Sequence, residues 1–441
     1  MNYKAYFKNK KVTVVGLGLL GKRIGDVAFL AECGADVTVT DIKTKEQLAP
    51  ALLALKKYTK VKYVLGEHRM QDFENKDFIL KGQGVALDSL YIEHARKNGI
   101  PIEMDESLFA KLAQGVTIVG ITGTRGKTTT TCLIYEIIKL SGKRVFLGGN
   151  IRGTAALPLI KKVKPGDIVV FELSSWQLQG FGEDSIAPHI SVFTNFMPDH
   201  LNYYKGDMNA YFVDKSYIYK HQKKEDFFFY GSSVKKWIVD MPKSQMKMVS
   251  VKTLPANWKP KLLGEHNKEN IALAIEATRA LGIKESVIKK GVENFKAVDG
   301  RLEFLKKVEG VSIYNDNNAT TAEATIVALE TIAKLSKDKK VILIMGGADK
   351  NLDLKDLARA AKKYAKNIVM LAGSGTERFM KEYAHIQIEV VQNLKEAVKA
   401  ARSEALRGGS ILFSPAFASF GMFVNEYDRG DQFKKIIAKL K

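Results

Sequence analysis

The chain has 441 residues, 46% hydrophobic and 27% charged, and its 69 Lys plus Arg against 48 Asp plus Glu leave a net charge of +21. That length exceeds one ordinary core and predicts two to four domains, with three as the working number; the balance excludes a disordered or fibrous chain. The basic excess raises nucleic acid or an anionic membrane as partners, but the lysines are scattered, as in KKVKPGD, KHQKKED and KLSKDKK, with acids among them and no interleaved aromatics. A solvated basic surface without a nucleic-acid partner is the reading.

The N-terminal MNYKAYFKNKK has no apolar signal core before the first strand. It leads into the strand KKVTVVGLG, a helical pattern with Ile24, Val27, Ala28 and Ala31 on one face, a stop at Gly34 and the strand ADVTVTD. Strand, glycine turn, helix and strand in that order predict a right-handed βαβ unit of a parallel sheet. Within it, Gly16-Leu17-Gly18-Leu19-Leu20-Gly21 is a full G-x-G-x-x-G, with Asp41 twenty residues beyond the last glycine. Such a loop offers amides at a helix start to a diphosphate, and the acid takes a ribose hydroxyl. Alone, it favours an NAD-dependent dehydrogenase.

A new strand begins at GVTIVGITG and opens a second α/β segment, with buried-type strands at RVFLGG, DIVVFEL and HISVFTN. Here Gly120, Gly123 and Gly126 precede Lys127, Thr128 and Thr129 between strand and helix. Backbone N–H groups and the helix dipole suit phosphate, the lysine adds a point charge, and Thr128 or Thr129 offers a hydroxyl to magnesium. The third segment follows VDGRLEF, with strands at VILIMGG, NIVMLAG and SILFSPA separated by helices. Its uncharged run 408–425 contains Pro415 and three serines, so it reads as strand plus loop rather than a membrane span. The domains expected are 1–108, 109–298 and 299–441. Cys33 and Cys132, the two cysteines, fall in apolar helical patterns and fit reduced, buried thiols. A cytoplasmic location is expected.

The segment GITGTRGKTTT, Glu172 in FELSSWQL, His200 in NFMPDHL and Lys215 fifteen residues later in YFVDKSYIY together resemble the Mur ligases, an ATP-dependent family that includes folylpolyglutamate synthase. Arg125 stands where that family's loop usually has Asn. The resemblance implies three α/β domains: a Rossmann-like N-terminal one, a central P-loop-type ATPase with a parallel sheet, and a Rossmann-like C-terminal one. It implies ATP at Gly123, Thr124, Arg125, Gly126, Lys127, Thr128, Thr129, Asn267, Asn270, Arg301 and Asp316. Magnesium would lie at Thr128, Glu172, His200 and Lys215, with Lys215 carbamylated, and Lys127, His200, Lys215 and Arg301 would serve catalysis.

The C-terminal SPAFASFGMFVNEYDRGDQF resembles the D-glutamate-adding branch of the family. That branch implies substrates UDP-N-acetylmuramoyl-L-alanine and D-glutamate, joined through an acyl phosphate by a monomer in peptidoglycan precursor synthesis. Thr320, Lys350, Ser419 and Phe420 then face D-glutamate. The first glycine loop would serve a UDP diphosphate, through Gly18, Leu19, Leu20, Asp41, Lys43 and, near the muramoyl part, Asn150. Three places depart from the branch: Asn318 for a usual lysine, Glu426 for a usual aromatic, and, in the loop on the uracil side, Lys81-Gly82-Gln83-Gly84 for a usual Ser-Pro-Gly. A folylpolyglutamate synthase or a pseudomurein peptide ligase would share the ATP residues.

Overall fold

The structure is a computed structural model that describes residues 2–18, 21–337 and 340–440. Seventeen strands are present among these, in three sheets. The first sheet holds β1 (Lys11–Val15), β2 (Asp36–Asp41), β3 (Lys62–Leu65), β4 (Phe78–Lys81) and β5 (Ile102–Glu103), all parallel, in the order β3-β2-β1-β4-β5. The second holds β6 (Thr117–Thr122), β7 (Val145–Gly149), β8 (Ile168–Glu172), β9 (Ile190–Phe193), β10 (Phe227–Tyr230) and β11 (Gln245–Met248), also all parallel, in the order β11-β10-β9-β6-β8-β7. Runs such as IVVF are β-branched and apolar on both faces, as a parallel sheet covered by helices on each side requires.

The third sheet holds β12 (Glu303–Val308), β13 (Val311–Asn315), β14 (Val341–Gly346), β15 (Ala365–Leu371), β16 (Glu389–Val391) and β17 (Ser410–Phe413) in the order β12-β13-β17-β14-β15-β16. Its strands are parallel except β12, which forms an antiparallel hairpin with β13. The sequence reading expected plain strand–helix alternation here and missed the hairpin. Its turn residues Glu309 and Gly310 both have positive φ (50° and 85°), the tight reversal that matches strand twist; VEGV is a weak signal because glutamate seldom adopts that conformation.

The chain divides into two compact units, one of residues 1–259 and 268–293, the other of 260–267 and 294–441. The first two sheets share the first unit, and one continuous core from Phe7 through Phe109, Ile118 and Phe171 to Val234 joins them. In the second unit, separate cores cover the two faces of the third sheet, one around Leu329, Leu343 and Leu357, the other around Ile344, Val398 and Phe433.

Buried charge also crosses between the first two sheets. Lys22, opening the helix Lys22–Glu32, pairs with Asp105 at 3.1 Å and with Glu106. Arg23 reaches Asp26 at 3.4 Å and Asp105 at 3.5 Å, and Asp26 accepts from the amide of Leu157 at 3.3 Å. Gln177 donates to Glu106 at 2.5 Å while capping the start of the helix Ser175–Glu183 through Ser174. Two cations thus face three carboxylates, and burial with the charge of Asp105 pushes Glu106 up to about 7. The helical pattern had marked only the apolar face of Lys22–Glu32; Arg23 and Asp26 are buried on it as well. Cys33 is buried, but Cys132, on the helix Lys127–Leu140 and absent from its buried face, is half-buried, short of the expected burial.

Candidate active site

Ligands of open α/β sheets bind at the carboxyl ends of strands where the connections diverge. In the second sheet that point lies at β6, flanked by β8 and β9. After β6 the chain turns through Gly123 (φ 140°) and Gly126 (φ 81°) into the helix Lys127–Leu140. Side chains are excluded at both glycines: a Cβ would collide with Thr194 at the first and with the Asn270 carboxamide at the second. Asn195 holds the loop from below, accepting from the Arg125 amide on its Oδ1 at 2.8 Å and from the Thr124 amide on its carbonyl at 2.9 Å. Thr124 Oγ1 bridges to the backbone of Met197 at 3.1 and 3.2 Å. The helix then begins without a side-chain cap, which leaves its positive end for an anion.

Two lysines converge on this loop. Lys127 Nζ donates to the carbonyls of Gly123 (2.9 Å) and Thr124 (3.2 Å). Lys215, on the helix Met208–Ser216, donates to the same Gly123 carbonyl at 3.0 Å and lies 4.9 Å over the Tyr211 ring. It is 2% exposed. Burial first, and the neighbouring charge of Lys127 second, bring its ammonium well below the usual lysine range, against the opposing pull of Asp199, Asp214 and Glu172.

Glu172 ends β8 with 2% exposure. Its Oε1 accepts from Asn150 Nδ2 at 3.2 Å, and its Oε2 is a buried oxygen with no protein partner. His200 lies in the left-handed region (φ 53°), its ring 4.7 Å from that of Trp176. Burial lowers its pKa; Asp199 opposes this, while Lys215, Lys127 and Arg125 add to it, so the ring is neutral near pH 7. Asp199 is held below the usual carboxylate range because Arg125, 2.7 Å away, and His200 outweigh its burial. Among the described residues no three His, Cys, Asp or Glu side chains form a ready metal cage. The donors on offer are the orphan oxygen of Glu172, the neutral imidazole of His200, the hydroxyl of Thr128 and whatever Lys215 becomes. An orphan carboxylate oxygen and a neutral imidazole beside a phosphate loop fit a hard divalent cation with partial hydration. Thr129, in the first turn of the helix Lys127–Leu140, is only 8% exposed.

The first glycine loop has different surroundings. Gly18 and Leu17 donate their amides to Asp41 Oδ2 at 3.2 and 2.8 Å, and Lys43 donates its amide to Oδ1 at 2.9 Å. The carboxylate expected to meet a ribose is therefore the brace of the loop itself. Leu19 and Leu20 lie outside the described residues. Asn150 lies beside Glu172, where its amide also bonds the Glu172 carbonyl at 2.7 Å.

In the second unit, Asn267 donates to the Leu263 carbonyl at 2.7 Å and Arg301 is exposed. Asp316 accepts from the Leu302 amide and the Ser414 hydroxyl, each at 2.9 Å, and burial pushes it up to about 7. Lys350 Nζ donates to Thr320 Oγ1 at 3.0 Å. An antiparallel bridge between Ala348 and Ala418 sets the 346–350 loop beside Ser419 and the exposed Phe420. Sequence reasoning missed Arg429, which is fully buried and donates to the Asn317 side chain (2.8 Å), the Asn317 carbonyl (3.0 Å) and the Phe417 carbonyl (3.3 Å). Asn318 donates to the Asp299 carbonyl at 3.1 Å, and it is Asn317 that donates to the Glu426 carbonyl, at 2.6 Å.

A glycine loop with its lysine at the carboxyl end of a parallel strand, ahead of an uncapped helix, defines a P-loop-type nucleotide-binding α/β protein. Family models match along the chain: a MurD-like Mur ligase N-terminal domain at 10–103, a Mur ligase middle domain at 121–259 and a Mur ligase glutamate ligase domain at 300–417. The chain belongs to the Mur ligase family. It is 34% identical to a UDP-N-acetylmuramoylalanine–D-glutamate ligase of Roseiflexus sp. (strain RS-1), covering 97% of this chain and 98% of that one, and 33% identical to its namesake in Borreliella burgdorferi (strain ZS7), covering 98% of both. Its fold is shared with UDP-N-acetylmuramate-alanine ligase MurC of Thermotoga maritima (TM-score 0.62, 17% identity, 98% of this chain and 100% of that one). It is also shared with MurF ligase of Thermotoga maritima in complex with ADP (TM-score 0.59, 17% identity, 91% and 95%). No helix among the described residues is long and apolar enough to cross a membrane.

Proposed function

We propose that this chain joins D-glutamate to UDP-N-acetylmuramoyl-L-alanine at the expense of ATP, in peptidoglycan precursor synthesis. The observation that carries the ATP half is the convergence of Lys127 and Lys215 on the Gly123 carbonyl after β6, beside β8, which ends at Glu172 with its orphan oxygen. Full-length similarity to curated D-glutamate ligases supports the substrate half. The substrate carboxylate attacks the γ-phosphorus of ATP, ADP leaves, and an acyl phosphate forms; the D-glutamate amine then attacks the acyl carbon, losing a proton as inorganic phosphate departs. Lys127 swings from the loop carbonyls to the transferring phosphoryl group, where fixed positive charge lowers the barrier. Magnesium, held by Thr128, Glu172, His200 and Lys215, would neutralise phosphate charge. Lys215 suits a carbamate: a buried, depressed amine is the neutral nucleophile CO2 requires, and the product is an anion in place of a cation repelling the metal.

Gly123, Thr124, Arg125, Gly126, Thr129 and Asn270 shape the ATP loop in this proposal. Asn267, Arg301 and Asp316 are assigned to the nucleotide by their sequence positions. Thr320, Lys350, Ser419 and Phe420 are assigned to D-glutamate, and Gly18, Asp41, Lys43 and Asn150 to the UDP-sugar. We assign the domains to 1–108, 109–298 and 299–441, and the protein to the cytoplasm as a monomer. Against the dehydrogenase alternative stands the full-length similarity to D-glutamate ligases. Phosphate release dependent on UDP-N-acetylmuramoyl-L-alanine, compared across D-glutamate, L-glutamate, D-aspartate, L-lysine and meso-diaminopimelate, tests the assignment. D-Glutamate should be preferred; preference for any other amine refutes it.

A further inference from the structure

Lys81 ends β4 with 0% exposure, a costly place for an ammonium unless its hydrogens are used. All three have acceptors: Val85 O at 2.8 Å, Gln179 Oε1 at 3.2 Å and Gly82 O at 3.4 Å. The Lys81 carbonyl in turn accepts from Arg23 at 3.1 Å. Gln179 passes the connection on, donating through Nε2 to Asp214 at 2.8 Å and to the Tyr203 hydroxyl at 3.3 Å, while the Tyr204 hydroxyl donates to the same Asp214 oxygen at 2.9 Å.

The two ends of this chain of bonds lie at the two sites assigned above. At one end the 82–85 turn abuts the first glycine loop: Gly82 donates its amide to Val15 O at 3.0 Å, and a Cβ on Gly16 would touch Val85 at 3.8 Å. At the other end Asp214 immediately precedes Lys215. No member of the chain is needed by the chemistry described above.

We infer that Lys81 is a positioning residue for the nucleotide-sugar substrate, pinning the 82–85 turn against the first glycine loop and tying it through Gln179 to the helix that carries Lys215. The inference rests on the reading of that loop as the diphosphate site. With the Gly82 and Val85 oxygens committed to the buried ammonium, neither is available to turn toward an arriving diphosphate and repel it. The charged groups around Lys81 are Arg23 on the helix Lys22–Glu32, Arg96 on Leu90–Lys97, Glu183 on Ser175–Glu183 and Asp214 on Met208–Ser216. Burial first and Arg23 second lower the ammonium to about 8, so the pin loosens within an accessible pH range.

The test is calorimetric binding of UDP-N-acetylmuramoyl-L-alanine and, separately, of Mg-ADP to the full chain, in wild type, Lys81→Met and Gln179→Leu, from pH 7 to pH 9. Replacing a charge-assisted anchor should weaken the nucleotide sugar about tenfold in Lys81→Met and about threefold in Gln179→Leu, with Mg-ADP unchanged. Wild-type affinity for the nucleotide sugar should fall as pH rises through 8, and Lys81→Met should be flat. Equal loss of both ligands, or an unchanged affinity for the nucleotide sugar, overturns the inference while the function stands. Should Lys81→Met fail to fold, Gln179→Leu decides by the same criterion. A wild type that binds Mg-ADP and ignores the nucleotide sugar overturns both the inference and the function beneath it.

Discussion

The two glycine loops of the first unit follow the same plan, a parallel strand, a tight turn with left-handed glycines and a helix, yet their surroundings differ. Around loop 16–21 an acid, Asp41, takes two loop amides. Around loop 123–126 an amide, Asn195, does that holding, and two lysines close over the carbonyl side. Glycine spacing therefore specifies a backbone shape, and the residues beyond the loop decide what charge that shape receives. On the assignment proposed above, the first loop, braced by a carboxylate, would take the diphosphate of the nucleotide sugar, and the second would concentrate cations where phosphoryl charge is transferred.

The largest way to break this contrast is Lys127→Ala. Ligation should fall about 1,000-fold, the scale of losing a preorganised charge at a transition state, with nucleotide-sugar binding unchanged by calorimetry. Next is Lys215→Ala, for which turnover should drop about 100-fold and short carboxylic acids should partly restore it by supplying the missing anion; full activity of this variant in CO2-free buffer would refute the carbamate. Third, Asp41→Asn presents an NH2 group to at least one loop amide, a buried mismatch costing about 1–3 kcal/mol. The KM for the nucleotide sugar should rise about tenfold and that for ATP should stay, and a reversed pattern would show that the two loops have been assigned to the wrong ligands.

The smallest effect is expected from Arg125→Asn. The loop position is set by the Arg125 amide on Asn195, while the side chain makes a partly exposed ion pair with Asp199 at 2.7 Å. Such pairs contribute about 0–1 kcal/mol, so kcat/KM should stay within about fivefold of wild type. A loss as large as that of Lys127→Ala would make the guanidinium itself a phosphate ligand.

Local pattern carried much of this molecule. Both glycine loops, the buried parallel strands and the helices on either side of them stand in the sequence because each is specified over a few consecutive residues. Glu172, His200 and Lys215 stand out through the resemblance to the Mur ligases; in the structure Lys127 and Lys215 both bond the Gly123 carbonyl, beside β8, which ends at Glu172. Residues whose purpose depends on distant partners were invisible. Asn195 lies 70 residues from the loop it holds, and Arg429 lies 112 residues from Asn317; nothing local distinguishes either from an ordinary surface residue. The bonds of Asp41 to the loop amides were not legible either, because the spacing that places an acid near a ribose equally places it against those amides. The β12–β13 hairpin was lost for a similar reason, its turn resting on a glutamate in an uncommon conformation.

The buried network of Lys22, Arg23, Asp26, Asp105 and Glu106 bears on how this protein can be cut and recombined. Its cations come from the first sheet's helix, while Asp105 and Glu106 stand on the segment leading into the second sheet. A fragment ending before residue 105 would keep Lys22 and Arg23 with Asp26 as their remaining partner, and stranding a buried charge costs about 3–5 kcal/mol. Chimeras joined near residue 104 between distant homologues would inherit unmatched charges and should express poorly unless both halves of the network travel together. Joins near residue 294 leave it whole, which makes the first two sheets a single heritable piece despite their separate glycine loops.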